Sequence, residues 1–194
     1  IGFTVTGTLV TFWPTMLRVR MDDRAERLAR QALPLLAAGL TVVVAGSLVG
    51  WRWLAVAGLA AYLLGLIWWG RALWRPLAAK GLREFAPASV ACALVWGAVG
   101  LVWVGWLLAA SGSWPAVTDA VPTVAGVFAV GFGAQLLFGA LSYLVPSVMG
   151  GGPSVVRAGQ DWFNRASTWR LVVVNGGLLL MLVPGPSWVR VAVS

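Results

Sequence analysis

Apolar residues run along this chain in long blocks, and the polar residues gather in the gaps between them. Six blocks approach or reach the roughly 20 residues that a helix needs to cross a hydrocarbon core. They cover about 1–17, 32–50, 53–70, 88–110, 121–146 and 170–184. The pattern predicts an all-α protein, a polytopic transmembrane helix bundle of about six spans. The first block is short, with Pro14 near its end. Pro122 and Pro146 bound the fifth, and Pro184 and Pro186 end the sixth. Asp22 and Asp23 stand where a helix running on into the second block would be capped.

The gaps differ in charge. Connectors 18–31, 71–87 and 147–169 hold five, four and two Lys or Arg, with Arg170 at the edge of the last. The turn near Gly50 holds only Arg52, and 111–120 holds none. Basic residues favour the cytoplasmic side of short loops, so the alternation places the three arginine-rich connectors in the cytoplasm. Ile1 and the region after Pro184 then lie outside, and the expected location is a bacterial plasma membrane with a multi-pass topology. The plainer reading of these arginines is solvated loop charge. Tryptophan supports the oriented one. Trp51, Trp53, Trp106, Trp114 and Trp188 fall near the outer interface on this scheme. Trp13, Trp68, Trp69, Trp74, Trp162 and Trp169 fall near the inner one. Only Trp96 and Trp103 lie deeper. Indoles prefer the headgroup level, so two girdles are expected.

Composition narrows the chemistry. Of 194 residues, 60% are hydrophobic and 10% charged, against about 25% charged in an ordinary soluble domain. One transmembrane helical domain, 1–194, accounts for this length. The net charge of +8 does not imply nucleic acid as a partner, because the basic residues flank apolar runs rather than forming a solvated face. The implied partner is the lipid bilayer. There is no histidine, and Cys92 is the lone cysteine. An intrachain disulfide, a CxxC site, His-ligated haem, His-based copper or zinc, and a Ser-His-Asp triad are thereby excluded within these residues. No Asp, Glu, Lys or Arg falls in the middle of a block, which argues against a complete proton relay. No catalytic residue and no metal ligand is assigned. Ile1 opens inside an apolar run and Ser194 closes another, so the expectation is a piece cut from a longer protein.

Neutral polar residues supply the remaining candidates. Thr4, Thr8, Thr11 and Thr15 share one helix face by their spacing. Gly131, Gln135, Gly139, Ser142 and Pro146 form a similar stripe in the fifth block, and Asn175 precedes Gly176 and Gly177 in the sixth. Small residues that let helices approach, with amides bonding between them, are one account. The other is a polar cavity or cofactor-binding site lined by Gln135, Ser142 and Asn175. The segment 149–157 (MGGGPSVVR) lacks the P-loop pattern. It reads as a flexible inner loop, or as a site where backbone amides and Arg157 hold an anion or lipid headgroup. Met16, Met21, Met149 and Met181 are too scattered for a copper(I) thioether site.

Two stretches, 6–25 (TGTLVTFWPTMLRVRMDDRA) and 134–159 (AQLLFGALSYLVPSVMGGGPSVVRAG), carry a resemblance. They resemble the multi-spanning membrane region of actinobacterial copper-oxidase proteins, of the multicopper-oxidase or nitrite-reductase-like kind. The resemblance implies a following extracytoplasmic cupredoxin domain and copper chemistry in the parent protein, with no cofactor in this piece. No family ligand can be carried onto any residue here, because cupredoxin copper needs His and Cys. The expected function is an anchor, or an electron or quinone interface, of a larger copper-dependent redox protein. The alternatives are a transport or small-ligand-binding module, and part of a haem-copper or nitric-oxide-response membrane protein with its ligands elsewhere.

Overall fold

A computed structural model describes residues 2–19 and 23–182. All regular structure among them is helical: α1 (Gly2–Met16), α2 (Asp23–Val49), α3 (Arg52–Lys80), α4 (Phe85–Ala110), α5 (Trp114–Gly126), α6 (Gln135–Val148), α7 (Pro153–Asn164) and α8 (Ser167–Leu182). A π-helical segment, Val127–Ala134, joins α5 to α6, so the chain is helical without a break from Trp114 to Val148. Four helices are long and apolar enough to cross a membrane: Asp23–Val49, Arg52–Lys80, Phe85–Ala110 and Trp114–Val148. Ser167–Leu182 is apolar but shorter, at 16 residues. Gly2–Met16 has 15 residues.

Helices overrun the apolar blocks at the basic connectors. The second begins at Asp23, inside the connector expected over 18–31, and the third continues through the connector expected from residue 71 to Lys80. Arg, Ala, Leu, Glu and Gln, all strong helix formers, supply most of these stretches, and α3 continues through Pro76 as well. Gly81, with φ 69°, supplies the stop. The connector 147–169 is also largely helix. Gly150, Gly151 and Gly152 have φ of 75°, 92° and 85°, a left-handed run that side chains with a Cβ resist. Pro153 then opens α7 with its ring-fixed φ. The glycine run is therefore the hinge before a helix, and Arg157 sits on that helix rather than in a loop.

The chain forms two compact units: Ile1–Gly81 with Ala98–Val124, and Leu82–Gly97 with Ala125–Ser194. The boundaries after Gly97 and after Val124 fall within α4 and α5, and the one after Gly81 falls in the connector between α3 and α4. In the first unit α2 and α3 make an antiparallel hairpin about Gly50, whose φ is 76°. The seam is built from small residues seven apart. Ala25, Ala32, Gly39 and Gly46 lie on α2; Gly58, Gly65 and Ala72 answer on α3, and all are buried. A Cβ on Gly46 would lie 2.5 Å from the Ala55 nitrogen, and one on Gly58 2.5 Å from the Val43 nitrogen. The backbones touch, which is how helices gain packing where apolar surroundings supply no hydrophobic drive. Trp13 docks α1 by donating its indole N–H to Leu73 O at 3.1 Å. Trp114 closes the other end by donating to Gly50 O at 2.9 Å. Ala55, Leu59 and Leu108 form the core beside the hairpin turn.

In the second unit the stripe of Gly131, Gln135, Gly139, Ser142 and Pro146 is buried. Gly131 meets the Trp96 side chain, and Gly139 meets Val90, Ser89 and the Ala86 carbonyl. The stripe thus packs on the first half of α4. No residue of α7 is buried. Val155, Val156, Trp162 and Phe163 share one side of it, with Arg157, Gln160 and Asp161 elsewhere around its axis.

Candidate functional site

The polar centre of the second unit is a side-chain cluster joining α4, α6 and α8. Trp96 donates its indole N–H to Asn175 Oδ1 at 2.6 Å. Gln135 Nε2 donates to the same oxygen at 3.2 Å, and Asn175 Nδ2 returns a bond to Gln135 Oε1 at 3.3 Å. The second Asn175 N–H goes to Leu171 O at 2.7 Å. Two donors and two acceptors saturate the Asn175 amide. Saturation holds Asn175 rigid, and Asn175 in turn fixes the Gln135 amide.

Gln135 is the first residue after the π-helical segment. Such widened turns shift the ladder of backbone bonds and recur at functional sites. Ser89 donates its hydroxyl to Gln135 O at 2.8 Å, tying α4 to this position. Gln135 and Ser89 are both buried from solvent, yet both line a cavity of about 450 Å³. Phe138, Val130, Val173 and Val174 form much of its apolar wall. Only one of the two Nε2 hydrogens of Gln135 is used within the cluster, so the amide retains a donor at the cavity wall.

Arg170 also lines the cavity. Its guanidinium lies 5.8 Å from the Phe85 ring centre and 5.9 Å from that of Trp162, and Nη1 donates to Phe163 O at 3.2 Å. Aromatic faces hold a cation in partly apolar surroundings. The Phe85 amide donates to Asn164 Oδ1 at 2.8 Å, which fixes the start of α4 against the end of α7. The cavity therefore has mostly apolar walls, with a caged cation and an amide side chain among its lining residues.

Of the residues singled out in the sequence, Gln135 and Asn175 are brought together. Ser142 is buried, but its hydroxyl donates to Gly139 O at 2.8 Å, within its own helix. Arg157 is exposed on α7 and its Nε donates to Pro153 O at 3.1 Å; neither joins the cluster. Thr8 and Thr15 are exposed on α1. The side chains of Thr4 and Thr11 lie outside the described residues, as do Ile1, Met21, Asp22, Trp188 and the segment from residue 183 that includes Pro184 and Pro186. Trp13 and Trp69, placed in a girdle by sequence, are buried in the first unit; for Trp13 the bond to Leu73 shows a packing role. Trp96, Ser89 and Arg170 were not singled out as site residues. Ser89 and Trp96 stand seven apart around the fully buried Ala93, one face of α4 by helical periodicity. Among the described residues, no three His, Cys, Asp or Glu gather as a metal site. Comparison with protein families, with curated proteins and with solved structures finds no match.

Proposed function

We propose that this chain is a multi-spanning membrane domain whose second unit binds a lipid-soluble carbonyl compound of the quinone class. One observation carries the reading: a buried Gln135 amide, held by Asn175, keeps a donor at the wall of an apolar cavity. A quinone carbonyl is an acceptor without a donor, and its ring and tail need apolar walls. Gln135 Nε2 donates to the carbonyl, Phe138 and Val174 flank the ring and chain, and Arg170 gives the cavity positive potential. Binding alone is proposed, with the domain serving as anchor and quinone interface.

The six apolar blocks are taken as spans in this proposal, with α1 and α8 completing the set. The arginine-rich connectors face the cytoplasm of a bacterial plasma membrane. The amphipathic α7 suits the interface, with its Trp and Phe toward lipid. The resemblance of 6–25 and 134–159 extends the proposal to a larger copper-dependent redox protein. Residues of this chain do not fit copper themselves: it has no histidine, and Cys92 is its one thiol. Copper ligands in that proposal belong to a following domain.

The test is titration of the full chain in phosphatidylcholine nanodiscs with a short-tailed benzoquinone or naphthoquinone. Saturable binding is expected, lost in Gln135→Leu and in Val174→Trp, which fills the cavity without touching the amide cluster. Equal partitioning of the quinone into empty and loaded discs would overturn the reading. So would retention of binding in both variants.

A further inference from the structure

In the second unit α7 is a helix of 12 residues set between two left-handed joints. Gly150, Gly151 and Gly152 make the joint to α6, and Ala166, with φ 54°, makes the joint to α8. No residue of α7 is buried, so it has no place in a core to anchor it. Lighter holds keep it down. Gly159 rests on α6, where a Cβ would stand 2.9 Å from the Pro146 Cβ. Phe163 O accepts from Arg170 Nη1 at 3.2 Å, and the same guanidinium lies 5.9 Å from the Trp162 ring centre. Asn164 Oδ1 accepts the Phe85 amide N–H at 2.8 Å. The first amides of a helix find no carbonyl within it, and an N-cap side chain commonly supplies the acceptor. For α4 that acceptor comes from another helix, the last residue of α7. Water can replace it when α7 lifts, so the bond is a latch that opens at small cost.

Position gives this helix a task. Phe163 of α7, Phe85 of α4 and Arg170 of α8 all line the cavity of about 450 Å³. The Asn164 and Arg170 bonds therefore both end on lining residues. Lifting α7 breaks them together, withdraws Phe163 from the wall and uncages Arg170. The amide pair of Gln135 and Asn175, on α6 and α8, stays in place. A jointed element with little buried surface opens more readily than the core beneath it, which is how lids over binding sites are built. We propose that α7 is a lid on this cavity, pivoting on the glycine joint and latched shut by Asn164 on the start of α4. The inference rests on the cavity being a ligand site, as read above, and names how that ligand is admitted and retained. A lid governs entry and exit alike, so loosening it raises both rates and leaves affinity nearly unchanged.

The test uses the full chain in phosphatidylcholine nanodiscs with a short-tailed naphthoquinone as the probe. Equilibrium titration comes first: absence of saturable binding overturns the ligand site itself, whatever α7 does. Association and dissociation rates are then read by stopped flow from quenching of tryptophan fluorescence. Asn164→Ala removes the latch oxygen, and both rates are expected to rise about fivefold, with Kd kept within about twofold. A lock gives the opposite result. In a Cys92→Ala background, Pro146→Cys with Gly159→Cys sets two thiols where the Cβ positions are 2.9 Å apart, close to the roughly 3.8 Å of a disulfide. Oxidation with diamide should slow both rates about tenfold or more, and dithiothreitol should restore them. Failure of the pair to crosslink would show that α7 does not rest on α6 and would overturn the closed arrangement. Equal rates in the oxidised and reduced forms would overturn the lid. So would a rise in the dissociation rate of Asn164→Ala alone, with Kd rising in step, since that marks a lost wall contact.

Discussion

Trp96 and Asn175 meet through an indole N–H donated to an amide oxygen at 2.6 Å, and the same oxygen accepts from Gln135. The bonds are coupled through one amide. Asn175→Leu strands the Trp96 N–H and both Gln135 amide groups in an apolar interior, at a cost of about 1–2 kcal/mol. Removing the partner amide as well abolishes much of that penalty. Gln135→Leu with Asn175→Leu should therefore lose less stability than the two single variants added together. Reversible unfolding in mixed micelles measures the cycle; simple additivity would show that the amides act independently.

The hairpin seam makes a sharper steric prediction. A Cβ on Gly58 falls 2.5 Å from the Val43 nitrogen and 2.9 Å from the Gly39 carbonyl, both backbone atoms that cannot rotate away. Gly58→Ala should separate α2 from α3 and cost about 1–3 kcal/mol, the range for overpacking. Gly70, on the same helix, has nothing within 4 Å of its Cβ position. There the same change should gain about 0.5–1 kcal/mol from lower backbone entropy. Thermal denaturation of the two variants in one detergent reads the contrast directly.

Much of the helical layout was legible because long apolar blocks leave few alternatives to helices in series. The buried stripe on α6 was legible too, since Gly131, Gln135, Gly139, Ser142 and Pro146 keep helical spacing. Helix ends were less so. Apolar content marks what suits lipid, whereas Asp23 to Gln31 and Arg71 to Lys80 are polar stretches whose backbone propensity carries the helix onward. The hairpin seam was present in the sequence as Ala25, Ala32, Gly39 and Gly46, seven apart, yet hydropathy treats alanine and glycine as background. Gln135 and Asn175 were grouped from the sequence, but the Trp96 partner of Asn175 was not legible. Trp96 reads in the sequence as one of two indoles deeper than the girdles, and only the pairing of α4 with α8 sets its N–H against the amide. Arg170 likewise reads as loop charge until Phe85 and Trp162 are brought around it.

Ala166, between α7 and α8, has φ 54°. A left-handed backbone costs a residue with a Cβ roughly 1–2 kcal/mol, a cost glycine escapes. Glycine also loses more entropy on folding, so the net gain from Ala166→Gly should be below about 1 kcal/mol. Arg170 Nη1 donates to Phe163 O across this turn, and Arg170 lines the cavity. A rise in unfolding midpoint with unchanged quinone binding is the expected result. A fall would mean that the turn relaxes when the chain is free of its neighbours.

The proposed orientation is checked with single cysteines. Cys92 is the chain's one thiol, so Cys92→Ala gives a silent background. Lys80→Cys reports on the arginine-rich connector after α3, and Ser113→Cys reports on the connector before α5, which carries no Lys or Arg. Basic loops resist export, so Ser113→Cys should react with a membrane-impermeant maleimide in intact cells. Lys80→Cys should react only after permeabilisation. The two positions flank α4, whose Phe85–Ala110 span of 26 residues extends about 39 Å at 1.5 Å per residue. That exceeds a hydrocarbon core of about 30 Å. Opposite accessibility of the two sites therefore establishes that α4 crosses, and its sign gives the orientation. Equal labelling of both in intact cells would show α4 lying on one side of the membrane and would overturn the spanning arrangement.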